Sequence, residues 1–209
     1  PWSDLGVGSQ AEAYTVRNQV FRLSGDTWDP VDSNLGGSVV FNLGLAGDLF
    51  TAEVFRPVAD GGAPVADGGT YVSADGATWA EVDAPHDGRV VGAGPALVAA
   101  PFEGTSVDIS ADGGASWSQF DLAGVGMAGD RTFAGAAGGP LGVALVIAGP
   151  GGAPEALATS ADLVSWTITP LSDIAGTDDI ARVTPFVGRD RIVVTVNGHT
   201  TGDLTAPTY

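Results

Sequence analysis

The side chains in this sequence that could carry chemistry are few in kind. Cysteine is absent, which removes thiolate nucleophiles, disulfides and cysteine-ligated zinc. His86 and His199 are the only histidines, so a Ser–His–Asp nucleophile would have to use one of them. Neither stands near a G-x-S-x-G elbow, and both read as exposed loop residues. Carboxylates are plentiful. A glycosidase needs two of them about 5–10 Å apart across a sugar, and with Glu12, Glu53, Glu81, Glu103, Glu155 and the many aspartates the sequence singles out no pair. The loop Val58–Gly69 repeats VADGG. Asp60 and Asp67, with nearby carbonyls, have the oxygen chemistry that suits Ca2+. Their spacing is not that of an EF-hand, and a turn-rich insertion accounts for the loop more simply. Ca2+ is the one cofactor that the sequence admits. The glycine pairs near Gly138 and Gly151 follow no strand–helix pattern, so they do not read as phosphate loops.

Charge narrows the partners. There are 25 acidic and 8 basic residues, a formal net charge of −17, and every basic residue is an arginine. Phosphate binding needs clustered cations, so nucleic acid is not an expected partner, and neither is an anionic membrane surface. The longest apolar run, Pro140–Gly149 (PLGVALVIAG), is too short for the roughly 20 residues of a spanning helix. The opening PWSDLG resembles no signal peptide. It reads as the start of a fragment or of a chain whose leader has been removed.

The elements that position these groups repeat. Four segments resemble one another: Ser24–Trp28 (SGDTW), Ser73–Trp79 (SADGATW), Ser110–Trp117 (SADGGASW) and Ser160–Trp166 (SADLVSW). Their tryptophans are 51, 38 and 49 residues apart, close to the roughly 40–50 residues of a propeller blade. Aspartate suits a turn because its carboxylate accepts bonds from N–H groups just downstream, and serine does so more weakly. Gly76 and Gly114 permit positive φ in a tight hairpin. Each turn tryptophan opens a following strand, where a large aromatic covers the turn.

Strand patterns frame the turns. The first full unit reads Ser38–Leu43, Leu49–Phe55, Thr70–Ser73 and Thr78–Val82. The second reads Arg89–Ala93, Ala96–Ala100, Ser106–Ser110 and Ser116–Leu122. The third reads Arg131–Ala134, Leu141–Ala148, Ala156–Ser160 and Ser165–Thr169. Several are continuous apolar runs, as expected of strands covered on both faces. No stretch has a 3.6-residue period, so almost no helix is expected. Glu12–Val16, Gln19–Ser24 and a strand near Trp28 precede the full units, and Ala181–Val187 and Arg191–Val196 follow them. The expectation is one all-β domain over residues 1–209: a propeller of four-stranded antiparallel blades, three whole with partial blades at both ends. Those ends either complete one blade together or leave a larger ring to be finished by further residues or another chain.

The four turn segments resemble the Asp-box (bacterial neuraminidase) repeat of sialidases, sortilin-like receptors and related secreted propellers. Ser110–Trp117 fits S-x-D-x-G-x-[ST]-W at every position, and Ser73–Trp79 and Ser160–Trp166 fit it less fully. The resemblance implies a structural role for Ser73, Asp75, Trp79, Ser110, Asp112, Gly114, Trp117, Ser160, Asp162 and Trp166, as the hairpin between the third and fourth strands of a blade.

Sialidases of that family use an arginine triad, a Tyr–Glu nucleophile and an aspartate acid/base. The chain has Phe55-Arg56-Pro57-Val58 where the family's F/Y-R-I-P would stand, without the isoleucine and between turns instead of before them. Its tyrosines are Tyr14, Tyr71 and Tyr209, and Tyr71 reads as a packing residue. Arg89, Arg131 and Arg182 recur near the starts of equivalent inner strands and are the candidate ligand-binding residues. A pairing of each with an acid at a blade edge is the plainer account. The resemblance therefore points to a non-catalytic extracellular or cell-surface propeller that binds a glycan, a peptide or a partner subunit. A sialidase-like hydrolase with catalytic residues partly outside this chain is the alternative, and an assembly or scaffolding factor is the third.

Overall fold

The computed structural model describes residues 20–198 except 25, 36–37, 56–67 and 128. The fold is all-β. One short helix is present among the described residues, and strands fall into three four-stranded antiparallel sheets and two two-stranded ones. The chain divides into two compact units. One comprises residues up to Gly44 together with Asp48–Asp83, and the other comprises Leu45–Gly47 and the residues from Ala84 onward.

The first unit opens with a hairpin, β1 (Val20–Ser24) and β2 (Thr27–Val31). Its four-stranded sheet has the order β3 (Val39–Ala46), β4 (Leu49–Phe55), β5 (Gly68–Ser73) and β6 (Ala80–Glu81). The core gathers Leu35, Ala52, Val54, Tyr71 and Trp79, with Val40 against it. Asn34 fastens this core: its side chain donates to the Trp79 carbonyl at 2.9 Å and accepts from the Trp79 N–H at 2.8 Å. The last strand is shorter than the expected Thr78–Val82, because residues up to Trp79 are taken up by the turn.

The second unit holds two further sheets and a hairpin. The first sheet runs β7 (Gly88–Ala93), β8 (Ala96–Pro101), β9 (Ser106–Ser110) and β10 (Ser118–Asp121), in chain order. A 3-10 turn, Leu122–Val125, follows, where Asp121 accepts from the Ala123 N–H at 2.9 Å. The second sheet runs β11 (Thr132–Gly139), β12 (Gly142–Ala148), β13 (Pro154–Ser160) and β14 (Thr167–Pro170). The helix α1 (Leu171–Ala175) leads to the closing hairpin of β15 (Arg182–Val187) and β16 (Ile192–Asn197).

The continuous apolar run of β12 is explained by burial on both of its faces. Val143, Leu145 and Ile147 join Val98, Ala100, Val107 and Phe133 in one core. Ala144 and Val146 join Leu157, Leu171 and Ile180 in another, against Val187, Val194 and Val196. Each fully buried Leu or Ile contributes about 1.5–3 kcal/mol by leaving water. Phe120 of β10 and Trp166, just before β14, stack with centroids 5.8 Å apart, which ties the two sheets together at their outer strands.

The first strands of this unit converge at their turn ends. The Gly94 N–H donates to the Gly139 carbonyl at 2.8 Å, and the Leu141 N–H to the Gly188 carbonyl at 3.3 Å. These bonds link hairpin turns of different strand pairs in series. Glycine makes the approach possible. A Cβ on Gly138 would collide with the Gly92 carbonyl, and one on Gly139 with the Val187 carbonyl. These glycines also explain why β11 is longer than the expected Arg131–Ala134: GAAGG carries little hydrophobic pattern, yet it packs backbone against backbone.

Candidate functional site

The serine–aspartate turns are built from local bonds. The Ser73 hydroxyl accepts from the Gly76 N–H at 2.9 Å, and Asp75 Oδ1 accepts from the N–H groups of Ala77 and Thr78, both at 2.8 Å. The Trp79 indole N–H closes the loop on the Gly76 carbonyl at 2.8 Å. In the second turn the Ser110 hydroxyl accepts from the Gly114 N–H at 2.7 Å, and Asp112 accepts from the Ser116 N–H at 2.9 Å and hydroxyl at 2.6 Å. In the third, Asp162 Oδ1 accepts from Val164 and Ser165 at 2.9 and 2.7 Å, and Ser160 accepts from the Leu163 N–H at 2.8 Å. Leu163 takes the left-handed conformation, φ 61°, where Gly76 has φ 75°.

These bonds favour ionised carboxylates. Donation from Thr78, Ala77 and Ser73 lowers the Asp75 pKa. The Ser116 hydroxyl and N–H, then Ser110, lower that of Asp112 to about 2. The N–H groups of Ser165 and Val164 do the same for Asp162, also to about 2. The carboxylates are spent on holding backbone in place. Trp117 and Trp166 are partly buried beside their turns, and the Trp166 indole nitrogen is enclosed without a hydrogen-bond partner.

In a four-stranded meander, the hairpin that joins the first two strands and the serine–aspartate hairpin that joins the last two share one end, and the remaining connection lies at the other. The candidate arginines lie at that other end. Arg89 is exposed as the second residue of β7, and Arg182 is exposed at the start of β15. Arg131 directly precedes β11, and its Nε donates to Glu155 Oε2 at 3.1 Å. The three do not stand level. Arg89, Arg131 and Arg182 lie five, eight and six residues before the linked glycines Gly94, Gly139 and Gly188. At about 3.3 Å per residue, their depths along the strands differ by up to roughly 10 Å.

Two pairings were not legible in the sequence. His86 is only partly exposed, not a free loop residue: its Nε2 lies 2.6 Å from Oδ2 of the buried Asp108 on β9. The Nδ1 atom is enclosed and has no hydrogen-bond partner. A catalytic histidine must turn its second nitrogen toward a nucleophile, and here that nitrogen faces the protein interior. The other pairing is Tyr71, whose hydroxyl donates to Glu81 Oε2 at 3.0 Å across paired strands. Tyr71 belongs to the core of its unit, so burial limits access to its oxygen. No local signal marks either pair, because each depends on strand register.

The Ca2+ candidates Asp60 and Asp67, together with Arg56, Tyr14, Tyr209, Glu12 and His199, lie outside the described residues. Among the described residues no group of three His, Asp or Glu side chains is placed to hold a metal ion. Among them, too, no helix is long and apolar enough to cross a membrane.

Fold and topology define the class as an all-β protein with several four-stranded antiparallel sheets. No protein-family model matches this chain, and no curated protein matches it.

Proposed function

We propose that the chain is an Asp-box β-propeller, or a large piece of one, that acts outside the cell or at its surface as a non-catalytic binding module. The observation that carries the propeller reading is the series of bonds from Gly94 through Gly139 and Leu141 to Gly188. Inner hairpins joined turn to turn, with sheets stacked face to face on both sides of β12, are what radial packing of blades requires. The binding reading draws on the state of the reactive groups. His86 is engaged by Asp108, Tyr71 by Glu81, and Asp75, Asp112 and Asp162 by backbone N–H groups. Exposed Arg89 and Arg182, at the end opposite the serine–aspartate turns, are the groups offered to a glycan, an acidic peptide or a partner subunit. A screen of the whole chain against glycans and cell-surface proteins tests this. Binding that weakens when Arg89 and Arg182 are changed to alanine supports it, and a clean screen overturns it.

A further inference from the structure

The first and third serine–aspartate turns have one backbone. Ser73–Trp79 and Ser160–Trp166 share the frame S-A-D-x-x-[ST]-W. In each, one aspartate oxygen accepts from the N–H groups of the two residues before the tryptophan. The serine hydroxyl accepts from the fourth residue, Gly76 at 2.9 Å and Leu163 at 2.8 Å. That residue is left-handed in both, with φ 75° and 61°. The Leu163 carbonyl is therefore presented as the Gly76 carbonyl is.

The tryptophans use these equal turns differently. Trp79 Nε1 donates to the Gly76 carbonyl at 2.8 Å, and the side chain is buried in the core of its own unit. The Trp166 ring instead stacks on Phe120 of β10, with centroids 5.8 Å apart and planes 27° apart. Its Nε1 atom is enclosed without a hydrogen-bond partner. A buried donor left unpaired is costly and uncommon, yet an acceptor that suits it stands three residues back in the same turn. We propose that Trp166 is a latch with two seats, one stacked on Phe120 and one bonded to the Leu163 carbonyl.

The two seats are matched in worth. An aromatic stack and a net hydrogen bond each change an equilibrium by a factor of roughly 2–10. Exchanging one for the other leaves both seats populated. A change of side-chain rotamer makes the exchange, and the turn itself stays in place.

The position of the latch gives it a mechanical role. At the inner edges of the two sheets, the Gly94 N–H holds the Gly139 carbonyl at 2.8 Å, and Gly138 packs on the Gly92 main chain. That side cannot loosen without breaking backbone contacts. At the outer edges, β10 and the start of β14 are tied by the Phe120–Trp166 stack. Phe120, Trp166 and Ile168 are only partly buried and lie at the margin of the core that holds Val107, Leu122 and Leu163. With Trp166 in the turn seat, the outer edges part while the inner edges act as the hinge. The device is a property of the scaffold and does not rest on the binding reading.

Nuclear magnetic resonance of the indole N–H groups tests this on the whole chain. There are five tryptophans, and Trp166→Phe identifies the signal concerned. In the unaltered protein, relaxation dispersion is expected to show microsecond-to-millisecond exchange at Trp166 Nε1 and none at Trp79 Nε1. Phe120→Leu removes the stack, so the Trp166 proton is expected to move downfield toward the hydrogen-bonded Trp79 position and the exchange to vanish. Phe120→Tyr keeps the ring and should leave the signal in place. A flat dispersion profile in the unaltered protein overturns the proposal without any variant. So does a Trp166 signal that Phe120→Leu leaves unmoved, the behaviour of an indole fixed by a bound water. Neither measurement reads ligand binding, so its outcome is separate from that of the binding screen.

Discussion

The α-carbon of Gly138 stands so close to the carbonyl of Gly92 that a single added methyl group would strike it. That carbonyl is main chain, so it cannot rotate away as a side chain could. Gly138→Ala should therefore force the first strands of adjacent sheets apart and cost about 1–3 kcal/mol or more, the usual range for overpacking. Gly124→Ala, which meets nothing within 4 Å, should stay within about 0.5 kcal/mol as an ordinary surface change. Urea midpoints of the two variants check the contrast. Equal midpoints would mean that the sheets do not converge there.

Leu163 sets strain against packing. Its φ of 61° costs about 1–2 kcal/mol in a residue with a Cβ. Its side chain is also buried in the core that holds Val143 and Leu145, and removal of a buried leucine side chain costs about 2–5 kcal/mol. Packing wins, so Leu163→Gly should lose about 1–3 kcal/mol net even though it restores the glycine of the other turns. A gain in denaturant midpoint would show that backbone strain dominates.

Asp112 and Asp162 both have pKa values lowered to about 2 by their hydrogen bonds, from 3.8. The folded pKa lies below the unfolded one. The linked stability is therefore fully present above about pH 4 and drains away as pH falls toward 2. Thermal midpoints should drop over that window. In Asp112→Ala and Asp162→Ala the drop should be shallower, because the group that titrates is gone. A variant whose acid profile parallels that of the unaltered protein would exclude these turns as its source.

What could be read in advance depended on how local the causes are. The turns at Ser73, Ser110 and Ser160 were legible because their bonds span two to four residues. The double burial of β12 was legible in its unbroken apolar run. The length of β11 was not, since glycine and alanine give no periodic signal and the reason for them lies in a neighbouring strand. Nor was the His86–Asp108 pair, whose members are 22 residues apart and meet only because β9 turns Asp108 inward.

That pair provides the last prediction. Asp108 is a buried carboxylate whose hydrogen-bonded partner comes from the segment leading into β7. With His86→Ala it loses its donor. With Asp108→Ala, a histidine whose other nitrogen is already without a partner loses its only acceptor. Either change should cost about 1–3 kcal/mol, the penalty for stranding a buried polar group. The double variant removes both stranded groups, so it should cost clearly less than the two singles combined. A double-mutant cycle from urea unfolding measures that coupling. Additive losses would mean that the two side chains do not act as a pair. Non-additive losses, together with unchanged binding in the glycan and protein screen, would assign the pair to anchoring the loop.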